Sequence, residues 1–329
     1  MSNNTTLKKI SQILDISIST VSRALKDHPD ISAKTKQKVT ELANALEYEP
    51  NAYAINLRTN NSKIFGLIVP DISYYFYNTF ISSVEEECRK NNYSLLILQS
   101  GDNPETESAN IKLCRQNRVS GVFACITSST ANIEAFYKLK EADIPLIFFD
   151  KVPADNSFSK VCIADTEAAR LAAEFIVQKQ KKNVLGLFGN TSLSITQKRL
   201  SSFKEVFAEN AAINLVIAHA ISFDDAYEKC LACLNTHIPD TIFCMSDEIL
   251  IGAMRAVQEK RLHIPKDVSV IALSNGFMPL LYVPQITYVE TSGYQLGKLA
   301  FKNMMDSVVG NTVESEVFVP CRLVEGASF

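Results

Sequence analysis

Residues 6–25, TLKKISQILDISISTVSRAL, constrain this chain more than any other stretch, because they spell two short amphipathic helices joined by a tight turn. Thr6 is placed to cap a first helix whose apolar face is Leu7, Ile10, Ile13 and Leu14. Asp15 and Ile16 make the turn, with Ile16 facing inward. Ser17 caps a second helix, in which Val21 and Leu25 return to the core at a spacing of four and leave Ile18, Ser19, Ser22 and Arg23 outward near its N-terminus. After Ser32, the run AKTKQKVTELANAL carries Val39, Leu42, Ala43 and Leu46 at i, i+3, i+4 and i+7, which reads as a third helix. The pattern predicts an all-α helix-turn-helix head over residues 5 to about 47, whose outward residues would meet base edges in a DNA major groove.

Charge agrees with that reading. The net charge is only −3, yet residues 1–60 carry +2 and the remainder −5. Lys34, Lys36 and Lys38 cluster at the start of the third helix, in reach of phosphates; a solvated helix face is the alternative for any one of them.

From residue 63 onward short apolar strands alternate with amphipathic helices: KIFGLIVP, SLLILQS, GVFACIT and PLIFFD, then, after Asp165, NVLGLFG, NLVIAHA, DTIFCMS and VSVIALS. The alternation predicts two similar α/β lobes with doubly wound parallel sheets. In such sheets a ligand sits outside the carboxyl ends of the strands. The loops to inspect are therefore Asp71–Tyr77, Thr127–Ser129, Asp150–Lys151, Asn190–Arg199, Ser246–Asp247 and Ser274–Asn275.

The segments TVSRAL, ISAKTKQKV, LEYEPNAYAINLRT and KIFGLIVPDIS, in that order, resemble the lactose-repressor (LacI/GalR) family of bacterial transcriptional regulators, and the likeness runs to the C-terminus. The resemblance implies a DNA-binding domain at 1–49, a hinge helix and linker at 50–62, and a periplasmic-binding-protein type I core at 63–329. Its first lobe would be about 63–161 plus 292–319 and its second about 162–291 plus 320–329. It also implies a homodimer on a pseudo-palindromic operator, read by Thr6, Leu7, Ser17, Ile18, Ser19, Thr20, Ser22, Arg23 and Lys34. Residues 51–58 are too few for a helix stable alone in water, where about 12–15 residues are already marginal. The family's hinge helices fold on the minor groove, which implies contacts from Asn51, Tyr53 and Ala54 and a base-step wedge at Leu57; burial of Leu57 against its own lobe is the alternative.

For the effector, the resemblance points to Phe76 or Tyr77 as flanking aromatics and Asp150 as an acceptor of sugar hydroxyls, with Ser128, Gln197, Arg199, Ser246, Asp247 and Asn275 completing the set. A loop cap for Asp150 and core packing for Phe76 are the plain alternatives. The chain departs from the family at informative places. Gln197 stands where an Arg is usual before the retained Arg199-Leu200, Ser246-Asp247 replaces Asn-Asp, and Ala272-Leu273-Ser274-Asn275 replaces Gly-Phe-Asp-Asp. With one carboxylate lost and Lys151 and Arg199 near the cleft, the expected effector is a sugar or sugar acid, tilted toward the acid.

Other classes are disfavoured. There is no GxGxxG after the first strand, no GxxxxGK[ST], no GxSxG and no HExxH, and His28, His219, His237 and His263 have no evident nucleophile or metal partner. No catalysis, cofactor or metal is expected. The eight cysteines mostly lie in apolar runs and read as reduced core residues, the Cys230–Cys233 pair included. Without an apolar span or signal peptide the protein is expected in the cytoplasm, which argues against a periplasmic sugar-binding protein, the runner-up. No heptad repeat closes the chain, so a dimer is expected over a tail-linked tetramer.

Overall fold

The structure is a computed structural model that describes residues 6–48, 62–209 and 212–329. It divides into two units, Met1–Ser62 and Lys63–Phe329. The expected hinge contacts Asn51, Tyr53, Ala54 and Leu57 lie outside the described residues.

In the first unit, α1 (Leu7–Leu14), α2 (Ile18–Leu25) and α3 (Ala33–Ala45) are each N-capped by a hydroxyl, Thr6, Ser17 and Ser32, that accepts from a backbone N–H three residues on. Such caps satisfy donors that the first helical turn leaves orphaned. Ile10, Val21, Ala24, Val39 and Ala43 form the buried centre, with Leu7, Leu14, Ile16, Leu25, Leu42 and Leu46 around it. One expectation fails: Ile13 is 53% exposed, and Ser11 is buried in its place. At 100° per residue Ile13 falls about 110° from the middle of the arc made by residues 7, 10, 11 and 14, so the three-helix contact cannot cover it. Ser11 tolerates burial because its hydroxyl donates to the Lys8 carbonyl at 2.8 Å.

The second unit holds two six-stranded sheets. The first contains β1 (Ile64–Val69), β2 (Ser94–Gln99), β3 (Gly121–Ala124), β4 (Leu146–Phe149), β5 (Ser159–Ile163) and β11 (Glu316–Val319), ordered β11-β5-β4-β3-β1-β2 and all parallel. The second contains β6 (Asn183–Phe188), β7 (Asn214–His219), β8 (Thr241–Cys244), β9 (Ser269–Ser274), β10 (Thr287–Glu290) and β12 (Arg322–Val324), ordered β12-β10-β9-β8-β6-β7, with only β12 antiparallel. Helices α4 (Tyr75–Lys90), α5 (Pro104–Gln116), α6 (Glu134–Lys140) and α11 (Gly293–Val308) serve the first sheet. Helices α7 (Asp165–Gln178), α8 (Ser194–Ala208), α9 (Phe223–Thr236) and α10 (Asp247–Glu259) serve the second. The chain passes between lobes three times, at Ala164, after β10 and between β11 and β12. β5 runs to Ile163, two residues past the boundary expected for the first lobe.

Both faces of each sheet are covered, so central strands read as continuous apolar runs. The first lobe stacks Phe80 on Phe149 at 3.8 Å between ring centres, and the second packs Phe203 against Phe188 and Phe243. All eight cysteines are free thiols, and Cys230 is buried with its Sγ toward the Ala253 carbonyl rather than toward Cys233.

Asp15 closes α1 in the left-handed region, at φ 52° and ψ 45°. Glycine reaches that region without a Cβ clash and Asp tolerates it, whereas a β-branched residue does not. Asp15→Gly should leave the melting temperature of the full chain's head unchanged or slightly raised, and Asp15→Val should destabilise it by roughly 1–2 kcal/mol, read by thermal denaturation.

Candidate functional site

Two surfaces carry chemistry. On the head, the start of α2 presents Ser17, Ile18, Ser19 and Arg23 to solvent, with Thr20 and Ser22 half-buried beside them. Ser17 Oγ caps the helix and also bonds to Ser19 Oγ at 2.7 Å and Thr20 Oγ1 at 2.8 Å, so these hydroxyls hold one another in place. Ile18 is 48% exposed, an apolar group standing alone in a polar row. Arg23 is mostly exposed, and its Asp30 partner lies 3.9 Å away, too far to immobilise it. Thr6 is exposed and Leu7 half-buried at the start of α1. The lysine cluster is less uniform than the sequence suggests. Lys36 is spent on Asp27, 2.7 Å to the carboxylate and 3.1 Å to its carbonyl, and holds that carboxyl below its usual range, while Lys34 and Lys38 stay exposed.

In the second unit, strand ends from both lobes face a cleft of about 470 Å³. Of the residues expected there, Phe76, Tyr77, Ser128, Asp150, Arg199, Ser246, Asp247 and Asn275 line it. Gln197 does not. It is exposed on α8, and its Nε2 donates to the Thr191 carbonyl at 3.0 Å. The turn of α8 that aims Arg199 inward aims a residue two positions earlier outward, since neighbours at i+2 lie on different faces. Thr196 occupies the wall instead, with a buried Oγ1 that has no hydrogen-bond partner.

The first-lobe wall is built on Asp150, which follows β4 in the left-handed region at φ 58°. Its Oδ2 accepts from the Tyr77 hydroxyl at 2.7 Å. Tyr77 is buried, and burial together with the neighbouring Asp150 charge raises its hydroxyl well above the usual range, so it remains a donor. This separates the two aromatics. Tyr77 orients the carboxylate, whereas Phe76 keeps an apolar face on the cleft. Ser128 is drawn to Asp102, its N–H donating at 2.8 Å and its hydroxyl bonding to the same carboxylate. Lys151 lies 3.9 Å from Asp102; burial opposes its charge, but Cys125, Asp150 and Asp102 outweigh burial and raise it.

On the second-lobe wall, Arg199 is buried and already paired. Its Nε and Nη2 donate to Asp165 Oδ1 at 2.8 and 2.7 Å, and Nη1 donates to the Met245 carbonyl at 3.0 Å. Burial raises the Asp165 carboxyl and Arg199 pulls it back. The guanidinium keeps spare N–H groups but no uncompensated charge, which removes the main reason for expecting an acidic ligand. Asp247 stands at the first turn of α10, which Ser246 caps. It accepts from the Ser274 hydroxyl and, at 3.1 Å, from the Asn275 N–H. Burial nonetheless pushes its carboxyl up to about 6, against the pull of these donors and with a small push from Glu248. Asn275 lines the cleft with half of its amide engaged: Nδ2 donates to Thr79 Oγ1 at 2.8 Å, and Oδ1 accepts from the Gly293 N–H at 2.8 Å, which leaves one N–H and one oxygen lone pair. It ties the lobes together.

A three-helix head with an exposed recognition face, in one chain with a two-lobed cleft core, defines a ligand-responsive DNA-binding transcriptional regulator. Residues 6–51 match the model of bacterial regulatory proteins of the lacI family, and residues 62–326 match that of periplasmic binding proteins and the sugar binding domain of the LacI family. The chain belongs to the LacI family. It is 25% identical over 317 residues to the HTH-type transcriptional repressor PurR of Vibrio atlanticus, covering 95% of each chain. It is also 25% identical over 322 residues to the ribose operon repressor of Halalkalibacterium halodurans, covering 97% of this chain and 96% of that one. In fold it is similar to the lac repressor dimer bound to operator and the anti-inducer ONPF, at a TM-score of 0.88 and 20% identity over 99% of both chains. Among the described residues no helix is long and apolar enough to cross a membrane.

Removing Arg199 leaves Asp165 charged and buried without a partner, a loss of roughly 3–5 kcal/mol. Arg199→Ala should therefore lower the melting temperature markedly, and in calorimetry weaken neutral and acidic sugars to the same degree. A loss confined to acids would restore Arg199 as an anion site.

Proposed function

We propose that this regulator binds a pseudo-palindromic operator in the cytoplasm as a homodimer and is controlled by an uncharged, monosaccharide-sized polyol held between its lobes. The carrying observation is the charge of the cleft. Asp71, Asp102, Asp150, Asp247 and Glu248 line it against Lys151 and an Arg199 whose charge Asp165 already balances. Carboxylates accept from sugar hydroxyls by charge-assisted hydrogen bonds and repel a carboxylate or phosphate ligand. Phe76 supplies the apolar face for sugar CH groups, Asp150 and Asp247 the acceptors, and the spare Arg199 N–H groups a donor. Only a ligand that touches both walls can bias the angle between lobes, and hence DNA affinity. Whether the effector releases or strengthens DNA binding is left to the experiment: thermal shift against neutral sugars, hexuronates and sugar phosphates, followed by operator binding with each hit. Stabilisation by acids alone would refute the polyol reading.

Two outcomes follow. Sugar hydroxyls donating to Asp247 favour its ionised form, so a carboxyl near about 6 in the protein alone drops on binding. Affinity should therefore rise as pH increases through about 6, and Asp247→Asn should flatten that dependence in calorimetry. Stability runs the other way: the unfolded carboxyl ionises near 3.8 and the folded one near about 6, so Asp247 costs stability as pH rises across that window. On the head, Ser19, Ser22 and Arg23 read the major groove with Ile18 against a thymine methyl. Arg23→Ala should cost roughly 1–3 kcal/mol on operator DNA and relax one base preference per half-site, and equal weakening on random DNA would mark it as a phosphate contact.

A further inference from the structure

We propose that Asn275 is the positioning residue through which occupancy of the cleft reaches the joint between the lobes, by a hydrogen-bond relay that runs from Asp247 to the start of α11 and to α4. The inference rests on the cleft being the effector site. Its links are all side chain to backbone or side chain to side chain. Asp247, in the second-lobe wall, holds the Asn275 N–H on one oxygen and the Ser274 hydroxyl on the other. Ser274 Oγ in turn accepts from the Gly276 N–H at 3.0 Å, which fixes the loop that carries Asn275. From there the Asn275 amide crosses to the first lobe, accepting from Gly293 N–H and donating to Thr79 Oγ1. The Thr79 hydroxyl itself donates to the Phe76 carbonyl at 3.0 Å, and Phe76 lines the opposite wall of the cleft.

The chemistry of the relay is particular to an amide. Asn275 must accept from a backbone N–H and donate to a hydroxyl at once; a carboxylate in its place could donate to nothing, and Thr79 could satisfy it only by releasing Phe76. The joint is also too tight to slide. A Cβ on Gly293 would lie 2.6 Å from both the Phe76 carbonyl oxygen and Thr79 Oγ1, so α11 meets α4 backbone to backbone at this point. Any ligand that draws Asp247 toward Phe76, or pushes them apart, must reorient Asn275, and the second-lobe crossing after β10 with it. The relay thus gives the effector a lever on lobe angle at the joint between α11 and α4.

The test uses the full chain and amide hydrogen exchange at Gly293, the N–H at the far end. Asp247→Ala touches neither Gly293 nor Thr79, yet it should speed Gly293 exchange about 10-fold beyond any change at the central amides of β6. Asp150→Asn alters a carboxylate on the other wall, outside the relay, and should leave Gly293 as it was. If Gly293 responds to Asp247→Ala no more than β6 does, or equally to Asp150→Asn, the relay is overturned. A second arm uses D-glucose, D-galactose, D-ribose and D-xylose as probes, with operator DNA selected from a random pool. Under saturating sugar, a sugar that stabilises both the wild type and Asn275→Leu should alter the DNA affinity of the variant less, by a share of the roughly 5- to 150-fold coupling usual for such sites. Undiminished coupling in Asn275→Leu also overturns the relay. Failure of all four sugars to stabilise the wild type counts against the polyol reading, and the exchange arm still decides the relay.

Discussion

A parallel strand can follow another only after a crossover, and this constraint organises the core. Because most strands return through a helix on the sheet face, the parallel strands of a lobe end at the same edge, and the loops gather there. Two such lobes, joined by three passes of chain, set those edges against each other. The cleft and its polar walls follow from that arrangement. Asp150, Ser246 and Asn275 lie within two residues of the ends of β4, β8 and β9, and Asp247 lies three past β8, where backbone leaves the ladder and side chains are free to turn outward. β12, the single antiparallel strand, closes the second sheet after the third pass and so fastens the joint from the second lobe.

Electrostatics then sorts the polar residues into those that build the walls and those left to bind. Burying a charge is costly unless it is paired, and the core meets that cost locally. Arg199 and Asp165 neutralise each other, each with a side chain only 7% exposed. Tyr77 holds Asp150 without neutralising it, and Asp247 has neutral donors alone, which is why burial can raise it so far. What remains facing the cleft is an excess of acceptors. A polyol complements that set, since its hydroxyls supply donors without adding negative charge.

The head works on a different balance. Its core is small, with five buried apolar residues, so the three hydroxyl caps matter more than they would in a larger domain. The same hydroxyl that caps α2 also braces Ser19 and Thr20, so order at the reading face derives from the helix's own termination chemistry. Ile18 and Arg23, by contrast, are held by almost nothing, which suits groups that exchange solvent for DNA.

The sequence by itself determined the elements and their order, because period and capping are local properties. The 3.6-residue spacing of Leu7, Ile10 and Leu14 and of Val39, Leu42, Ala43 and Leu46, the caps at Thr6, Ser17 and Ser32, and the apolar runs that became eight of the strands needed no tertiary information. The strand-end rule also located the loops, and with them Phe76, Asp150 and Asp247. Tertiary structure alone decided what those loop residues do. Helical phase relative to the neighbouring element turned Gln197 out and Thr196 in, and left Ile13 uncovered where the three-helix contact ends. Arg199 looked like an anion site until Asp165, 34 residues away in the chain, proved to hold it. Asn275 lies on the cleft as expected, but only the fold shows that its amide also bridges Thr79 and Gly293. Pairings of this kind depend on which groups the fold brings within about 3 Å of each other, and no local pattern encodes that distance.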